Sequence, residues 1–565
     1  MMFHPSLARY FALMTAFAGL LSFSAVAKAE DSAMGESSFF KKADPSEKAD
    51  GTLGPAAKAA MEHGPLPFSK ATAAAKAAAD RASEEAEKKG AQRPFSPADL
   101  AMAGGPGGGP LAPLIVAGFN KPGLSPGASP CGTPPDTTGT IGPKTYIQLV
   151  NCRAGLFNRT TGALIASGTL NELADIPSTV VSFDPQIIWD PTTNRFYYVM
   201  DSVFSANDNR LSFGFSREDN PKNVTADWCH YTLSFGSRFP DYPKLGDSQF
   251  FAIIGVNSFG ASDNFLGSDL IAISKPPSGT ACPPVTAFKI GKKINLVDSS
   301  RQQVFTPVPA NQIDTNATGY AVAVNGALPA AKLWFFNVTR NAATGAPVFG
   351  AARGLTVPSY TFPPNARQPV FPQLLDTLDA RNTQAVQAID PVQSNKFAFW
   401  TQHTIKDGTA SAVRWYEIDP VPAVPALLRS GTLSLPGTFL FNAAISPDRR
   451  VEGINKAFGG SFVIEYSASS KVLNTSPRII GGSSVNGGAL SFLLVKDGVG
   501  PYRDISCIAP NDLICRWGDY SAASPDPKPN ATGSGVVWGT NQFSGEVNPP
   551  SNGINWRTQI FAVKP

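Results

Sequence analysis

RFYYVMDS (195–202), a turn, then LSFGFSR (211–217) reads as two apolar strands joined in a hairpin. The same unit recurs along the chain. YIQLVN (146–151) pairs with AGLFNRT (154–160), FFAIIGVNSF (250–259) with DLIAISK (269–275), and GYAVAVNG (319–326) with KLWFFNVTR (332–340). KFAFWTQHT (396–404) pairs with AVRWYEI (412–418), INKAFGGS (454–461) with SFVIEYSAS (461–469), and GVVWGTNQF (535–543) with RTQIFAVK (557–564). A repeated β unit cannot bury both of its faces alone and must stack on its copies, as in a propeller or a solenoid.

DPQIIWDP (184–191), TQAVQAIDP (383–391), FNAAISPD (441–448) and WGDYSAASPD (517–526) read as inner strands. All four of these segments end in Asp-Pro or Ser-Pro-Asp, which is turn chemistry. WCHYTLSF (228–235), VTAFKI (285–290), LLRSGTLSL (427–435) and PRIIGG (477–482) read as outer strands. The last unit runs out at Pro565 after its third strand. LIVAGF (114–119) is left without a unit and can fill the missing place, closing the ring with no exposed edge. The expected fold is all-β, a seven-bladed β-propeller over 111–565. Six blades plus a separate strand pair is the alternative.

The chain has 51 Gly and 50 Pro with 42% hydrophobic residues, which signals many turns between short strands rather than disorder. A net charge of +4 gives no reason to expect a nucleic-acid or anionic-membrane partner. Arg9, the apolar run 11–27 and Ala27-Lys28-Ala29 read as a signal peptide over 1–29, so Glu30 is the expected mature start and the expected location is outside the cytoplasm. No later stretch is apolar enough to span a bilayer.

Residues 30–110 are poor in large apolar groups. KATAAAKAAADRASEEAEKK (70–89), with Ser69 as N-cap and Gly90 as stop, reads as a helix with little to bury. AMAGGPGGGP (101–110) reads as a joint. The segment as a whole is expected to be a flexible, partly helical stalk, dispensable for folding. Cys131, Cys152, Cys229, Cys282, Cys507 and Cys515 are an even set, which an oxidising compartment turns into disulfides. Pairing each with its nearest neighbour is the expectation, and a metal centre is not, because no CxxC pair is present.

DTTGTIGPKTYIQLVN (136–151), DPQIIWDPTTNRFYYV (184–199), FPDYPKLG (239–246), VRWYEI (413–418) and RWGDYSAASPDP (516–527) together resemble a group of exported bacterial β-propeller proteins of undefined function, distantly sialidase-like in fold. The resemblance spans about 112–565 and implies fold and export. It carries no established catalytic residues.

Polar groups at the starts of inner strands should gather at one end of a propeller's channel. Asp136, Thr137, Asp184, Asp241, Tyr242, Lys244, Gln384, Asn442, Arg516, Trp517 and Asp519 are such groups, and Asn257, Gln402 and His403, just beyond second strands, are expected on the same rim. Two carboxylates about 5–10 Å apart could hydrolyse glycosides, and the same acids could bind Ca²⁺. A sialidase also needs an arginine cluster and a Tyr–Glu nucleophile pair at the channel. Here Arg516 stands alone, and Tyr416-Glu417 and Glu465-Tyr466 read as third-strand residues. Nucleophile-elbow, zinc-helix and P-loop patterns are absent from the sequence. The expectation is a monomeric, non-catalytic binder of an extracellular or envelope carbohydrate or protein, with no cofactor. A polysaccharide hydrolase or lyase, with or without a requirement for Ca²⁺, is the alternative.

Overall fold

The computed structural model describes residues 39–90, 115–126, 132–277, 279–452, 455–483, 490–507, 514–528, 535–545 and 555–565. The signal-peptide segment, the 101–110 joint and Cys131 lie outside them.

Antiparallel sheets follow one another along the chain. Thr138–Ile141, Thr145–Val150, Arg153–Asn158 and Leu164–Thr169 make one. Val181–Asp190, Arg195–Ser205, Asp208–Ser216 and Trp228–Gly236 make the next. Phe239–Asp247, Phe251–Phe259, Phe265–Ser274 and Ile290–Lys293 follow. Then Val304–Pro309, Gly319–Asn325 and Ala330–Arg340 are edged by both Pro347–Phe349 and Arg353–Tyr360. Asn382–Asp390, Lys396–Asp407, Ala410–Asp419 and Ala426–Leu433 come next, then Phe439–Pro447, Ser461–Ser469, Ser476–Ser483 and Leu490–Leu494.

The final sheet is made by both ends of the domain. Ala522–Pro525, Val537–Ser544 and Trp556–Lys564 are completed by Ile115–Pro122, which pairs antiparallel with Trp556–Lys564. The expected closure is therefore present. The inner strands pack side by side from Thr138–Ile141 round to Ala522–Pro525, which returns against Thr138–Ile141. A closed ring of sheets around a common axis is a β-propeller. Inner and second strands are sandwiched between neighbouring sheets, so Phe239–Asp247 and Phe251–Phe259 are buried at every position. Leu164–Thr169, on the rim, is largely exposed.

Two strand assignments need correction. INKAFGGS does not partner SFVIEYSAS; Asn455–Ala457 turns back on Arg450–Glu452 as a separate ribbon. Ser461–Ser469 pairs instead with Phe439–Pro447 and Ser476–Ser483. PRIIGG is thus a third strand and Glu465 lies on a second strand. The ribbon's apolar residues mimic a strand in sequence, but its two arms are too short to reach across a sheet. In VTAFKI the first three residues form a 3₁₀ turn, and the outer strand is Ile290–Lys293.

Cys229–Cys282 and Cys507–Cys515 are disulfide-bonded, as the spacing suggested. The Cys131–Cys152 pairing involves Cys131, outside the described residues. No helix among the described residues is long and apolar enough to cross a membrane.

The stalk expectation is overturned for residues 39–90, which pack on the propeller. Phe40–Lys42 adds a strand beside Trp228–Gly236, and Phe40 stacks on Tyr231 with ring centroids 5.1 Å apart. Helix α1 (Pro55–His63) buries Ala56, Ala57 and Ala60. Helix α2 (Lys70–Lys88) is capped by Ser69, whose Oγ accepts from the Thr72 N–H. Polar anchors hold α2 where large apolar groups are missing. Ser83 Oγ donates to the Thr409 carbonyl at 2.6 Å, Asp80 accepts from the Asn365 N–H at 2.6 Å, and Glu87 pairs with Arg367 and Lys471. Alanines let the helix approach the sheets closely, and its charges find partners there. Composition alone cannot reveal such partners.

Candidate functional site

The site begins with a local backbone device. Inner strands break register near their starts, between Phe183 and Gln186, Asp241 and Lys244, Phe305 and Val308, and Phe441 and Ala444. Each break contains a non-glycine residue with positive φ: Asp184 at 54°, Tyr242 at 59°, Thr306 at 53° and Asn442 at 47°. Asp136, at 45°, stands just before the first inner strand. Such bulges re-aim side chains and cost about 1 kcal/mol or more apiece. In sequence they read FDPQ (183–186), DYPK (241–244), FTPV (305–308) and FNAA (441–444). This alignment is a second repeat signal, independent of the hairpins.

Asparagines on or just after second strands cap the bulges of the following sheet. Asn151 Oδ1 accepts from the Asp184 N–H at 2.8 Å, and Asn257 Oδ1 accepts from the Thr306 N–H at 2.9 Å. Asp201 holds the corresponding place on the Val181–Asp190 sheet, opposite the residue before the bulge. It is buried, and neither carboxyl oxygen has a hydrogen-bond partner among the described residues.

Most of the expected residues come together. Arg516 Nη2 donates to Asp519 Oδ2 at 3.0 Å. Asp136 Oδ1 accepts from the Asp519 N–H at 2.7 Å, and its Oδ2 accepts from Asn151 Nδ2 at 2.6 Å. Tyr520 donates its hydroxyl proton to Asp184 Oδ2 at 2.8 Å, and Tyr242 donates to the Asp519 carbonyl at 2.9 Å. The Cys507–Cys515 clip brings Ser506 Oγ to the Arg516 N–H at 2.9 Å, which seats the arginine at the entry.

Two expected residues do not join the site. His403 is fully buried between the rings of Tyr360 and Tyr416, with its nitrogens on the Ala380 carbonyl and the Tyr416 hydroxyl. Burial lowers its pKa to about 4, so it is a neutral core group. Trp517 is fully buried against Tyr502 and Phe441 and donates to Ser467 Oγ at 2.9 Å. Both are apolar bodies that bury well, and their polar ends are satisfied inside.

Lys244, expected on the rim, lies in the cluster, and Arg381, Asp201 and Tyr520, which were not among the expected site residues, complete it. The Lys244 Nζ lies 4.0 Å and 3.6 Å from the ring centroids of Tyr242 and Tyr520, with no hydrogen-bond acceptor among the described residues. Arg381 sits over Tyr242 at 4.6 Å and is forked onto Asp379. The DYPK bulge and the Asp379-x-Arg381 step before an inner strand were the available signals.

Burial pushes Asp136, Asp241 and Asp519 up to about 7. It raises Asp184 to about 7 as well, helped by the charges of Asp241 and Asp519. The same desolvation drives the Lys244 amine well below its usual range. A buried amine without an acceptor is costly, so Lys244→Met is expected to stabilise the chain by about 1–3 kcal/mol in equilibrium urea unfolding. A loss of stability would mean that the ammonium is charged and held by its acidic neighbours.

Asp184, Asp241 and Arg516 line a cavity of about 840 Å³. Arg381, Asp379 and Arg516 line a second of about 520 Å³. Asp136 and Asp519 stand behind, orienting Arg516 and the bulge backbone.

No family model matches the chain, and no curated protein matches it. Among solved structures it is similar to an exo-beta-1,3-galactanase from Clostridium thermocellum, with 10% identity, 72% of this chain and 97% of that chain covered, and a TM-score of 0.28. The WD40 domain of SCAP from fission yeast gives 10% identity, 74% and 82% coverage and a TM-score of 0.28. Drosophila Plexin A in complex with Semaphorin 1b gives 8% identity, 80% and 87% coverage and a TM-score of 0.33.

Proposed function

We propose that this chain is an exported, monomeric, seven-bladed propeller that binds a carbohydrate or protein ligand at one end of its axis without transforming it. Seven sheets of four or five strands support that blade count. Export is supported by the Arg9-to-Ala29 pattern and by two disulfides. Residues 111–565 are taken as the propeller domain, and the described residues 39–90 as an arm upon it.

The observation that carries the binding reading is the convergence of Asp184, Asp241 and Arg516 on one cavity of about 840 Å³. Acceptors, donors and an apolar wall meet there, as in sites that orient a ligand. General acid–base hydrolysis needs two carboxyls whose environments push their pKa values apart. Asp184 and Asp241 are instead raised together, both to about 7 and both by burial. That favours binding over the glycosidase or lyase alternative.

Asp184→Asn keeps the shape and an acceptor for Tyr520 while removing a buried titrating group, so the variant should fold at least as stably as the parent chain. On a glycan array, read with and without Ca²⁺, and in pull-downs of envelope proteins, the variant should lose at least tenfold in affinity for whatever the parent chain retains. Turnover of a bound glycan by the parent chain would replace this reading with the hydrolase one. Unaltered binding by Asp184→Asn would remove the cavity from the function.

A further inference from the structure

Three buried side chains of the axial cluster are hydrogen-bonded to main-chain atoms of the arm. Asp241 Oδ2 accepts from the Leu66 N–H at 3.0 Å, and Arg381 Nη2 donates to the Leu66 carbonyl at 3.3 Å. Arg516 Nη1 donates to the carbonyls of Met61 at 2.7 Å and Ala60 at 3.2 Å. Asp241 and Arg381 are each 1% exposed, so these bonds are made away from water and weigh accordingly.

The sequence held there is Gly64-Pro65-Leu66-Pro67-Phe68. Prolines carry no N–H. Leu66 therefore supplies the one amide proton of residues 65–67, and Asp241 takes it. The Leu66 side chain is buried in the apolar cluster that contains Phe239 and Phe305. Phe68 is wedged with ring centroids 4.9 Å from Phe265 and 5.7 Å from Phe305. Proline-rich peptides are recognised elsewhere on a related basis: prolines hold the backbone extended at low entropic cost, and an aromatic-lined groove receives it.

The arm also divides the cleft. Glu62, His63, Pro65, Ser506 and Arg516 line both cavities. Residues 62–65 are thus the partition between spaces of about 840 and 520 Å³. Lifting them would join the two into one groove with Asp241, Arg381 and Arg516 along it.

We propose that the ligand of this site is an extended polypeptide segment presenting an apolar residue between prolines, and that Pro65-Leu66-Pro67 is its built-in competitor. The inference rests on the binding reading above and narrows it to peptide. Nothing in the four hydrogen bonds depends on the arm's side chains, so a partner chain of the same pattern can make them once the arm is displaced.

The probe is a fluorescein-labelled synthetic peptide of residues 60–69, titrated by anisotropy into the full chain. The parent chain, with its arm seated, should bind it weakly. Phe68→Ala removes the arm's aromatic anchor and touches none of the polar site groups, so this variant should bind the peptide at least tenfold more tightly. The same peptide with an N-methylated Leu66, lacking only that amide proton, should lose at least tenfold against Phe68→Ala. Equal binding of the two peptides, or no gain in Phe68→Ala, overturns the proposal.

A second measurement covers the case in which Phe68→Ala fails to fold. In the parent chain the Leu66 amide should exchange with solvent by local opening, at least a hundredfold faster than core amides of Arg195–Ser205. Exchange of Leu66 only at the rate of global unfolding would make the arm part of the core and overturn its role as a competitor. A glycan bound by Phe68→Ala and lost on adding Asp184→Asn, with no peptide binding, would sink the peptide inference and leave the binding site standing. If neither glycan nor peptide binds, both readings fall.

Discussion

Trp517→Ala is expected to cost about 3–5 kcal/mol in equilibrium unfolding, the range for emptying a large aromatic site in a packed core. Trp517 is fully buried. It packs edge-on against Tyr502 at 4.9 Å, and its indole N–H is taken by Ser467. Its carbonyl accepts from Gln542, which ties the 516–519 segment to the neighbouring strand. The loss has two parts, an emptied volume and a stranded hydroxyl acceptor. Trp517→Phe should restore most of the volume and cost about 1–2 kcal/mol for the missing hydrogen bond. Because the ring lines neither cavity, ligand affinity of the folded fraction should not change in either variant. A loss below 1 kcal/mol for Trp517→Ala, accompanied by a loss of binding, would restore Trp517 to the site.

The second large effect is a dependence of stability on pH. Burial pushes Asp136, Asp241 and Asp519 up to about 7 in the folded chain, against about 3.8 for an ordinary aspartate. Between about pH 4 and pH 7 the folded chain holds protons that the unfolded chain has released. Stability contributed by these groups is present below about pH 4 and is lost as pH rises through 7. Each such proton is worth about 1.4 kcal/mol per pH unit. His403 acts in the opposite sense between about 4 and 6.5, since it is neutral when folded and charged when unfolded.

Asp241→Asn isolates one member of the set. The amide oxygen can still accept from Leu66, while the titration is gone. Its urea midpoint should match that of the parent chain near pH 4 and exceed it by pH 8, by up to roughly 4 kcal/mol in unfolding free energy for a shift of this size. A variant less stable than the parent chain at pH 8 would show that the Asp241 carboxylate is held as an anion by Arg381 and Arg516.

The acidic cluster and the arm also explain each other. Buried carboxyls, an amine without an acceptor and positive-φ bulges are poor choices for stability, and they gather at one end of the axis. Such concentrated cost is the pattern of sites selected for something other than folding.

Much of the fold was legible in the sequence because strand chemistry is local. The continuous run FYYVM (196–200) and the alternation of Leu211, Phe213 and Phe215 with small residues specify a hairpin wherever they sit. The orphan strand at 114–119 and the incomplete last unit required each other, and Ile115–Pro122 does pair with Trp556–Lys564. The sixth hairpin was misread because INKAFGGS carries strand-like residues while its partner is chosen across a sheet. Asp184, Asp241, Arg516 and Asp519 could be placed together from position alone, since each lies near or shortly before the start of an inner strand and inner strands of a ring converge.

Whether a side chain at that end faces the axis or the core is decided by packing. His403 and Trp517 look like rim residues by position, yet each fills space between sheets. Arg381 and Lys244 join the site because neighbouring sheets bring Tyr242 and Tyr520 beside them. The arm shows the division most plainly. Its composition correctly gave an alanine-rich helix with a serine cap. Its seat on the propeller depends on bonds such as Asp241 to Leu66, 175 positions apart, and on Phe68 finding a pocket between Phe265 and Phe305. Local chemistry writes strands, turns and caps into the chain. Contacts between distant segments exist only once the ring has closed, and it is those contacts that make the site.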